Sequence, residues 1–263
     1  MKPLRLATYN LRHPSDPPPY DWPSRLPRVL ALLEEDGFDV FGTQEGKKGQ
    51  LFDIVANTRY RYVGGGRDDF IDGGEHCAIF YDPERLELVK GGTFALSETP
   101  DIPGSKSWDT CAPRIATWAF FRDQATGREF CYYNTHLDHI SVHARIEGIR
   151  LVLAHAGENC GGVPLVLTGD LNDYPGSETL DFAESRLRNA RALAARVRRP
   201  EPPVTWHGWG RDFSAEPHRL APIDFIFVSD GVKVEEYFVD DRKFLGDYAS
   251  DHYPVAADLL FPE

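Results

Sequence analysis

At 263 residues, with 41% hydrophobic and 12% aromatic side chains, the chain carries enough apolar material to close a core, which excludes a disordered polymer. Its 41 acids against 29 lysines and arginines leave a formal charge of −12, so tight, sequence-blind binding to duplex DNA is disfavoured by repulsion from the phosphate backbone. Four widely spaced cysteines (Cys77, Cys111, Cys131 and Cys160) include no Cys-x-x-Cys pair, which fits neither a disulfide framework nor a structural zinc site.

Taken in chain order, apolar runs predict strands at 4–10, 38–43, 77–81, 86–89, 93–97, 115–122, 129–135, 163–169, 223–228, 232–239 and 255–260. Many of these runs are continuously apolar, as in strands covered on both faces. Helical periodicity appears at 24–36, where Leu26, Val29, Leu30 and Leu33 share a face, and at 48–57. A third helix is predicted at 141–156 with Ser141 as its N-cap, and a short one from Ser177 to Phe182. Stretches rich in Gly, Pro and charge (12–23, 64–76, 98–113, 172–177 and 200–222) read as loops. The basic run Arg186, Arg188, Arg191, Arg196, Arg198 and Arg199 reads as a solvated helix face and exit loop, or as a surface that meets an anionic substrate. No low-complexity linker divides the chain, so one domain over 1–263 is expected, built as two packed mixed sheets flanked by helices. Entry into a strand by Leu4 leaves no room for a signal peptide, and no apolar run approaches membrane-spanning length. The expectation is a cytoplasmic monomer with no membrane partner.

Several predicted strands end in a polar residue that packing alone does not require. They run into Asn10, Glu45, His136, and Asp170 with Asn172, while Asp224 opens one late strand and Asp251-His252 precede the last. Such ends, brought together, make a hydrolytic metal site. Glu45 is the best single ligand for a magnesium-like ion, which takes oxygen donors and needs few protein carboxylates. Gly169 permits a tight strand exit, and Asp170 and Asn172 fall on one side because strand alternation pairs i with i+2. His136 and His252 each need a carboxylate partner to fix the tautomer and raise basicity. A zinc site on His136, Asp138 and His252 is the alternative, though without a close His pair or cysteine pair. Trp108, Trp206 and Trp209 lie in loops where they can stack on a base or a sugar.

The motifs Thr8-Tyr9-Asn10-Leu11-Arg12, Gln44-Glu45, Asn134-Thr135-His136-Leu137-Asp138, Gly169-Asp170-Leu171-Asn172, Ile223-Asp224 and Ser250-Asp251-His252 occur in the order of the exonuclease–endonuclease–phosphatase superfamily. The chain resembles that superfamily over nearly its whole length, and Phe94 to Asp109 resemble an uncharacterised bacterial branch. The resemblance implies a four-layer α/β sandwich and a Mg²⁺- or Mn²⁺-dependent phosphoester hydrolase that uses in-line attack of activated water. It places Glu45, Asp251 and Asn10 with the metal, and Asn172, His252 and Arg114 at the substrate phosphate. It gives the general base to Asp170 or His252, sets Asp224 behind His252, and pairs His136 with Glu75. Arg12 stands where some abasic-site enzymes carry an acid or amide. With no counterpart of their DNA-penetrating loops, and with the −12 charge, a small phosphoester or nucleotide is the preferred substrate. A nuclease for RNA or single-stranded DNA is the alternative, with the Arg186–Arg199 run as its contact; a non-catalytic binding module on the same fold is the rival of another class.

Overall fold

The structure is a computed structural model that describes residues 3–262, so the outermost ends of the expected 1–263 domain, Met1, Lys2 and Glu263, lie outside the described residues. The chain runs through β1 (Leu4–Asn10), α1 (Trp22–Asp36), β2 (Val40–Gln44), α2 (Lys48–Asn57), β3 (Arg61–Val63), β4 (Ile79–Tyr81), β5 (Leu86–Ala95), β6 (Ile115–Asp123) and β7 (Glu129–His136). It continues with α3 (Val142–Asn159), β8 (Leu165–Asp170), α4 (Glu178–Glu184), β9 (Arg188–Asn189), α5 (Ala190–Leu193), β10 (Arg196–Arg198), a 3₁₀ turn (Pro217–Leu220), β11 (Asp224–Val228), β12 (Lys233–Val239) and β13 (Val255–Leu260). Two mixed sheets result: seven strands in the order β10-β12-β13-β1-β2-β4-β3, and six in the order β5-β6-β7-β8-β11-β9. The four-layer α/β sandwich is as expected.

Local sequence sets the helix limits. Asp21 precedes α1, Pro23 sits in its first turn, and Gly37 closes it in the left-handed conformation at φ 61°. Ser141 Oγ accepts the Ala144 N–H at 3.1 Å and Ser177 Oγ accepts that of Leu180 at 3.3 Å, so both predicted caps form. The two strands predicted at 86–89 and 93–97 are one strand, β5, whose register shifts between Leu88 and Lys90. The segment around 186–203 is more ordered than a helix face and exit loop: β9 pairs with β11, and β10 pairs in parallel with β12 at the sheet edge. All three residues of β10 are exposed, as at a sheet edge, and Arg198 lies over Phe238 at 4.7 Å.

Strand alternation divides the core into three layers. Leu4, Leu6, Val40, Phe130, Tyr132, Val166, Ile226 and Val228 face between the sheets. Ala7, Tyr9 and Phe41 turn outward onto α1 and α2, while Cys131, Tyr133, Leu167, Phe225 and Phe227 turn outward toward α3 and α4. With a period of two, Asn10, His136, Asp170 and Asp224 continue the inter-sheet faces of β1, β7, β8 and β11. The polar strand ends therefore meet in the space between the sheets, at the rim of its apolar core. Among the described residues no helix is long and apolar enough to cross a membrane. Cys77 and Cys131 are buried as expected, Cys160 is buried as well, and Cys111 is exposed.

Candidate active site

A polar floor separates the site from the inter-sheet core. Gln44 Nε2 donates to Thr8 Oγ1 at 3.0 Å and to Asn134 Oδ1 at 2.7 Å, and Thr168 Oγ1 lies 3.2 Å from the same oxygen. Asn134 Nδ2 in turn donates to the carbonyls of Thr43 and Ala78 at 2.8 and 3.1 Å, stitching the two sheets together. Gly42 leaves the space for it: a Cβ there would meet Asn134 Oδ1 at 2.4 Å. Gln44 and Asn134 therefore support the site from below.

Above the floor, register brings three side chains together, because Asp170 on β8 lies opposite His136 on β7 and Asp224 on β11. Asp170 Oδ2 accepts from Asn10 Nδ2 at 3.1 Å and stands 3.6 Å from His136 Nε2 and 3.8 Å from His252 Nε2. Its Oδ1 accepts the Asn172 N–H at 2.9 Å. His252 Nδ1 is bonded to Asp224 Oδ2 at 2.9 Å, so the expected His–Asp pair is formed. Asn172 Nδ2 lies 2.9 Å from His136 Nε2 and donates to the Leu137 carbonyl at 3.0 Å. Glu45 and Asn172 hold left-handed backbone, φ 61° and 49°, a strain that clusters where geometry serves function.

Gly169 answers to a constraint other than the expected strand exit. It sits inside β8 between Thr135 and Phe225, and a Cβ would lie 2.4 Å from the Thr135 carbonyl oxygen. Gly169→Ala is expected to push β7 from β8 at the very residues that align His136 with Asp170, costing about 1–3 kcal/mol by overpacking. Urea denaturation checks it, and a midpoint within error of wild type would refute the close approach.

Burial pushes the Asp170 carboxyl up to about 7, reinforced by the Asp224 charge and opposed by His252 and the Asn10 donor. His252 is also buried, which disfavours its charge, yet Asp224, Asp251 and Asp170 together push it up to about 10. His136 is driven well below the ordinary histidine value by burial and by Arg114 and His252. The cluster thus combines a carboxylate that exchanges a proton near neutrality, one imidazolium and one neutral imidazole.

Glu45 and Asp251 face the same cleft. Glu45 Oε1 accepts from Asn10 Nδ2 at 3.0 Å and Oε2 from the His13 N–H at 3.1 Å, while Asp251 Oδ2 accepts the Trp206 indole N–H at 3.1 Å. Asn10 turns its amide nitrogen between two carboxylate oxygens, where a donor fits, and its Oδ1 takes the Arg12 N–H at 2.9 Å, which leaves that oxygen one lone pair. It brackets Glu45 and Asp170. Glu75 departs from its expected pairing, since its carboxylate is paired with Arg67 at 2.6 Å, while His136 Nε2 turns to Asn172 and Asp170. Arg114 lines the cleft as expected, 3.4 Å from Asp138 and 2.9 Å from His139 Nδ1. The zinc set fails at Asp138, whose oxygens already take Thr110, Cys111, Ile140 and Ser141. Asp170, Asp224 and His252 also place three ligand atoms within 4.8 Å of one another, but there the Nδ1–Asp224 hydrogen bond already binds the pair.

Glu45, Arg114, His136, Asp170, Asn172, Asp251 and His252 line a cleft of about 670 Å³. The profile of the Endonuclease/Exonuclease/phosphatase family matches residues 7–252. The chain belongs to this family. A family structure from Bacteroides vulgatus aligns with a TM-score of 0.92 at 34% identity, covering 99% of this chain and 100% of that one. A mannosyl-6-phosphatase from Bacteroides thetaiotaomicron aligns at 0.88 and 35% identity, covering 98% and 100%. Nocturnin of Drosophila melanogaster is 26% identical over 271 residues, 89% of this chain but 39% of its own length, so the chain spans about two fifths of that relative.

The sequence reading passed over several features of this family member's cleft. His13, Arg67, His139, the Arg145–Asp173 ion pair at 3.0 Å, Tyr174 and Arg219 all line it. None ends an apolar strand, and their loops come together only in the folded chain. Of the three loop tryptophans, Trp206 lines the cleft, whereas Trp209 stacks on Tyr20 at 4.1 Å. The Arg186–Arg199 run contributes nothing to the cleft wall, and Arg188, Arg196 and Arg199 are paired with Asp230, Glu236 and Glu201.

Proposed function

We propose that this protein is a divalent-cation-dependent phosphoester hydrolase that acts on a small phosphorylated compound, with a sugar phosphate as the leading class. The observation that carries the reading is the single contact network in which Asp170 touches Asn10 and Asn172 and faces both histidines at the floor of one cleft. Glu45 and Asp251 would hold Mg²⁺ or Mn²⁺, for which carboxylate oxygens are apt donors. When bound, the ion neutralises charge that builds on the phosphoryl oxygens.

Asp170 takes the proton of the attacking water. His252, kept charged by Asp224, serves as a donor to a phosphoryl oxygen, which assigns the base role to Asp170. Asn172 and Arg114 add N–H donors around the same group, and such fixed dipoles are the largest contribution to catalysis of this kind. A cleft of about 670 Å³ is the size of a small-molecule site. The 35%-identical Bacteroides neighbour described as a mannosyl-6-phosphatase supports a phosphomonoester of a sugar. Three of the six arginines of the Arg186–Arg199 run are ion-paired and none of the six lines the cleft, which speaks against a nucleic-acid track leading into it.

The test is a substrate panel of hexose 6-phosphates, nucleotides, bis-p-nitrophenyl phosphate and single-stranded oligonucleotides, each with Mg²⁺, with Mn²⁺ and with EDTA. Hexose phosphates are expected to turn over fastest, with activity abolished by EDTA and restored by either ion. Turnover unaffected by EDTA, or confined to oligonucleotides and falling steeply with salt, would overturn the reading.

A further inference from the structure

We propose that Cys160 and Cys131 are a peroxide-reactive thiol pair, in which Cys160 meets hydrogen peroxide and Cys131 closes a disulfide with it. The pair is independent of the hydrolase reading. Cys160 caps the C-terminal end of α3 and lines a cavity of about 470 Å³ that shares no residue with the cleft. Leu153, Ala156, Val163, Leu165 and Leu187 line it too. Cys131, on β7, is fully buried and stands outside that lining, yet the two sulfurs are hydrogen-bonded to each other. One turn fixes this contact. The Cys160 carbonyl accepts the Val163 N–H at 3.2 Å, and the next carbonyl, that of Pro164, accepts the Cys131 N–H at 2.8 Å. Between them Gly161 and Gly162 hold φ 61° and 83°, with open space where a Cβ would stand. The turn therefore has room to let two touching sulfurs close to bonding distance.

The surroundings make the two thiols unequal. The Cys160 sulfur accepts from the Cys131 thiol and the Tyr133 hydroxyl, and Lys90 adds positive charge, so its thiol is held below the ordinary value in spite of burial. The same contact, with burial, pushes Cys131 up. Tyr133 Oη also lies 2.8 Å from His155 Nδ1, which gives the Cys160 proton a route through the hydroxyl to an imidazole whose neutral form burial favours. Cys111 makes the contrast: it is exposed, yet partial desolvation and then Asp138 push its thiol up. The chemistry follows from this asymmetry. The Cys160 thiolate attacks one peroxide oxygen, the O–O bond breaks, and the departing hydroxide takes the proton that Cys160 gave up, leaving a sulfenic acid. Cys131 then attacks that sulfur, the S–OH bond breaks, and hydroxide leaves as water with the Cys131 proton. Two thiols have lost two electrons, and one peroxide has become two waters.

The experiment treats the fully reduced, full chain with hydrogen peroxide, alkylates the remaining thiols with N-ethylmaleimide in denaturant, and maps the peptides by mass spectrometry. Alkylated thiols are expected to fall from four to two, with a single linked peptide that joins Cys131 to Cys160, and dithiothreitol is expected to restore all four. Cys131→Ser is expected to stop at the Cys160 sulfenic acid, which dimedone traps. Cys160→Ser is expected to leave Cys131 as a thiol. Four thiols that survive peroxide, oxidation confined to Cys111, or loss of the Cys131 thiol in Cys160→Ser as fast as in wild type would each overturn the inference. Wild type decides the outcome by itself should a serine variant fail to fold. Phosphoester turnover is no part of this readout, so a failed substrate panel and a failed oxidation remain separate results.

Discussion

Asp170→Asn is expected to lower kcat by about 10²–10⁴, the contribution typical of a positioned general base. The substitution preserves shape in a residue that is almost wholly buried, so the fold should be kept. It removes the capacity to accept a proton while leaving a carbonyl oxygen to receive the Asn172 N–H. His252 is a poor substitute, because Asp224 at 2.9 Å and Asp251 still favour its charged form once the Asp170 charge is gone. A pH dependence follows with a definite sign. Burial pushes Asp170 up to about 7, and below that value the carboxyl holds a proton and is useless as a base. With the apo value, kcat/KM of the wild type should fall about tenfold per pH unit on the acid side. The residual activity of Asp170→Asn should lack that acid limb. The measurement is a pH–rate profile of both proteins on the best panel substrate, with circular dichroism to confirm the fold. Near wild-type turnover in Asp170→Asn would remove Asp170 from the base role.

That prediction was reachable from the sequence because strand alternation is a local rule. A polar residue at the end of an apolar strand, on the parity of its inward-facing neighbours, has one place to go, and Asn10, His136, Asp170 and Asp224 all went there. The His252–Asp224 pair was legible from the family motif order, and the layered fold from continuous apolar runs. Partners chosen by loops were not. Glu75 was matched to His136 by its position before a strand, but the loop 64–76 folds back so that Arg67 N–H reaches the Glu75 carbonyl at 2.9 Å and their side chains pair. The sequence cannot show which neighbours flank the Asn10 amide. Two carboxylate oxygens on its nitrogen settle the direction. Gly169 looked like a turn residue, and only the register opposite Thr135 reveals that it is a close-packing residue. In each case the missing information is which distant segment arrives, and no local pattern encodes that.

Arg25→Leu is expected to destabilise the folded chain by roughly 3–5 kcal/mol, the cost of leaving several buried carbonyls without a donor. Arg25 sits on α1, fully buried, with no carboxylate hydrogen-bonded to it. Its five N–H groups meet five backbone carbonyls: Nε to Tyr20 at 2.7 Å, Nη1 to Leu11 and Ala249 at 2.6 and 3.2 Å, and Nη2 to Arg12 and His13, both at 3.0 Å. Trp22 and Trp209 lie over the guanidinium at 5.4 and 5.8 Å. Replacing a buried ion pair with apolar residues is often neutral, since both charges leave together. Here it cannot be, because Leu would strand the carbonyls of Tyr20, Leu11, Ala249 and His13, that of Arg12 keeping Gln50 Nε2 at 3.0 Å, and each unsatisfied buried polar group costs about 1–3 kcal/mol. Arg25→Lys should recover only part of the loss, since one ammonium has three donors on a single nitrogen where the guanidinium spreads five. The loss should also reach the site: the segments Arg25 ties together are those that carry Arg12, His13 and Asp251, and Ser250 Oγ adds a second tie to the Asn10 carbonyl at 2.7 Å. Urea denaturation of wild type, Arg25→Lys and Arg25→Leu should therefore rank in that order. Equal stability of Arg25→Leu and wild type would mean that water, rather than the guanidinium, satisfies those carbonyls.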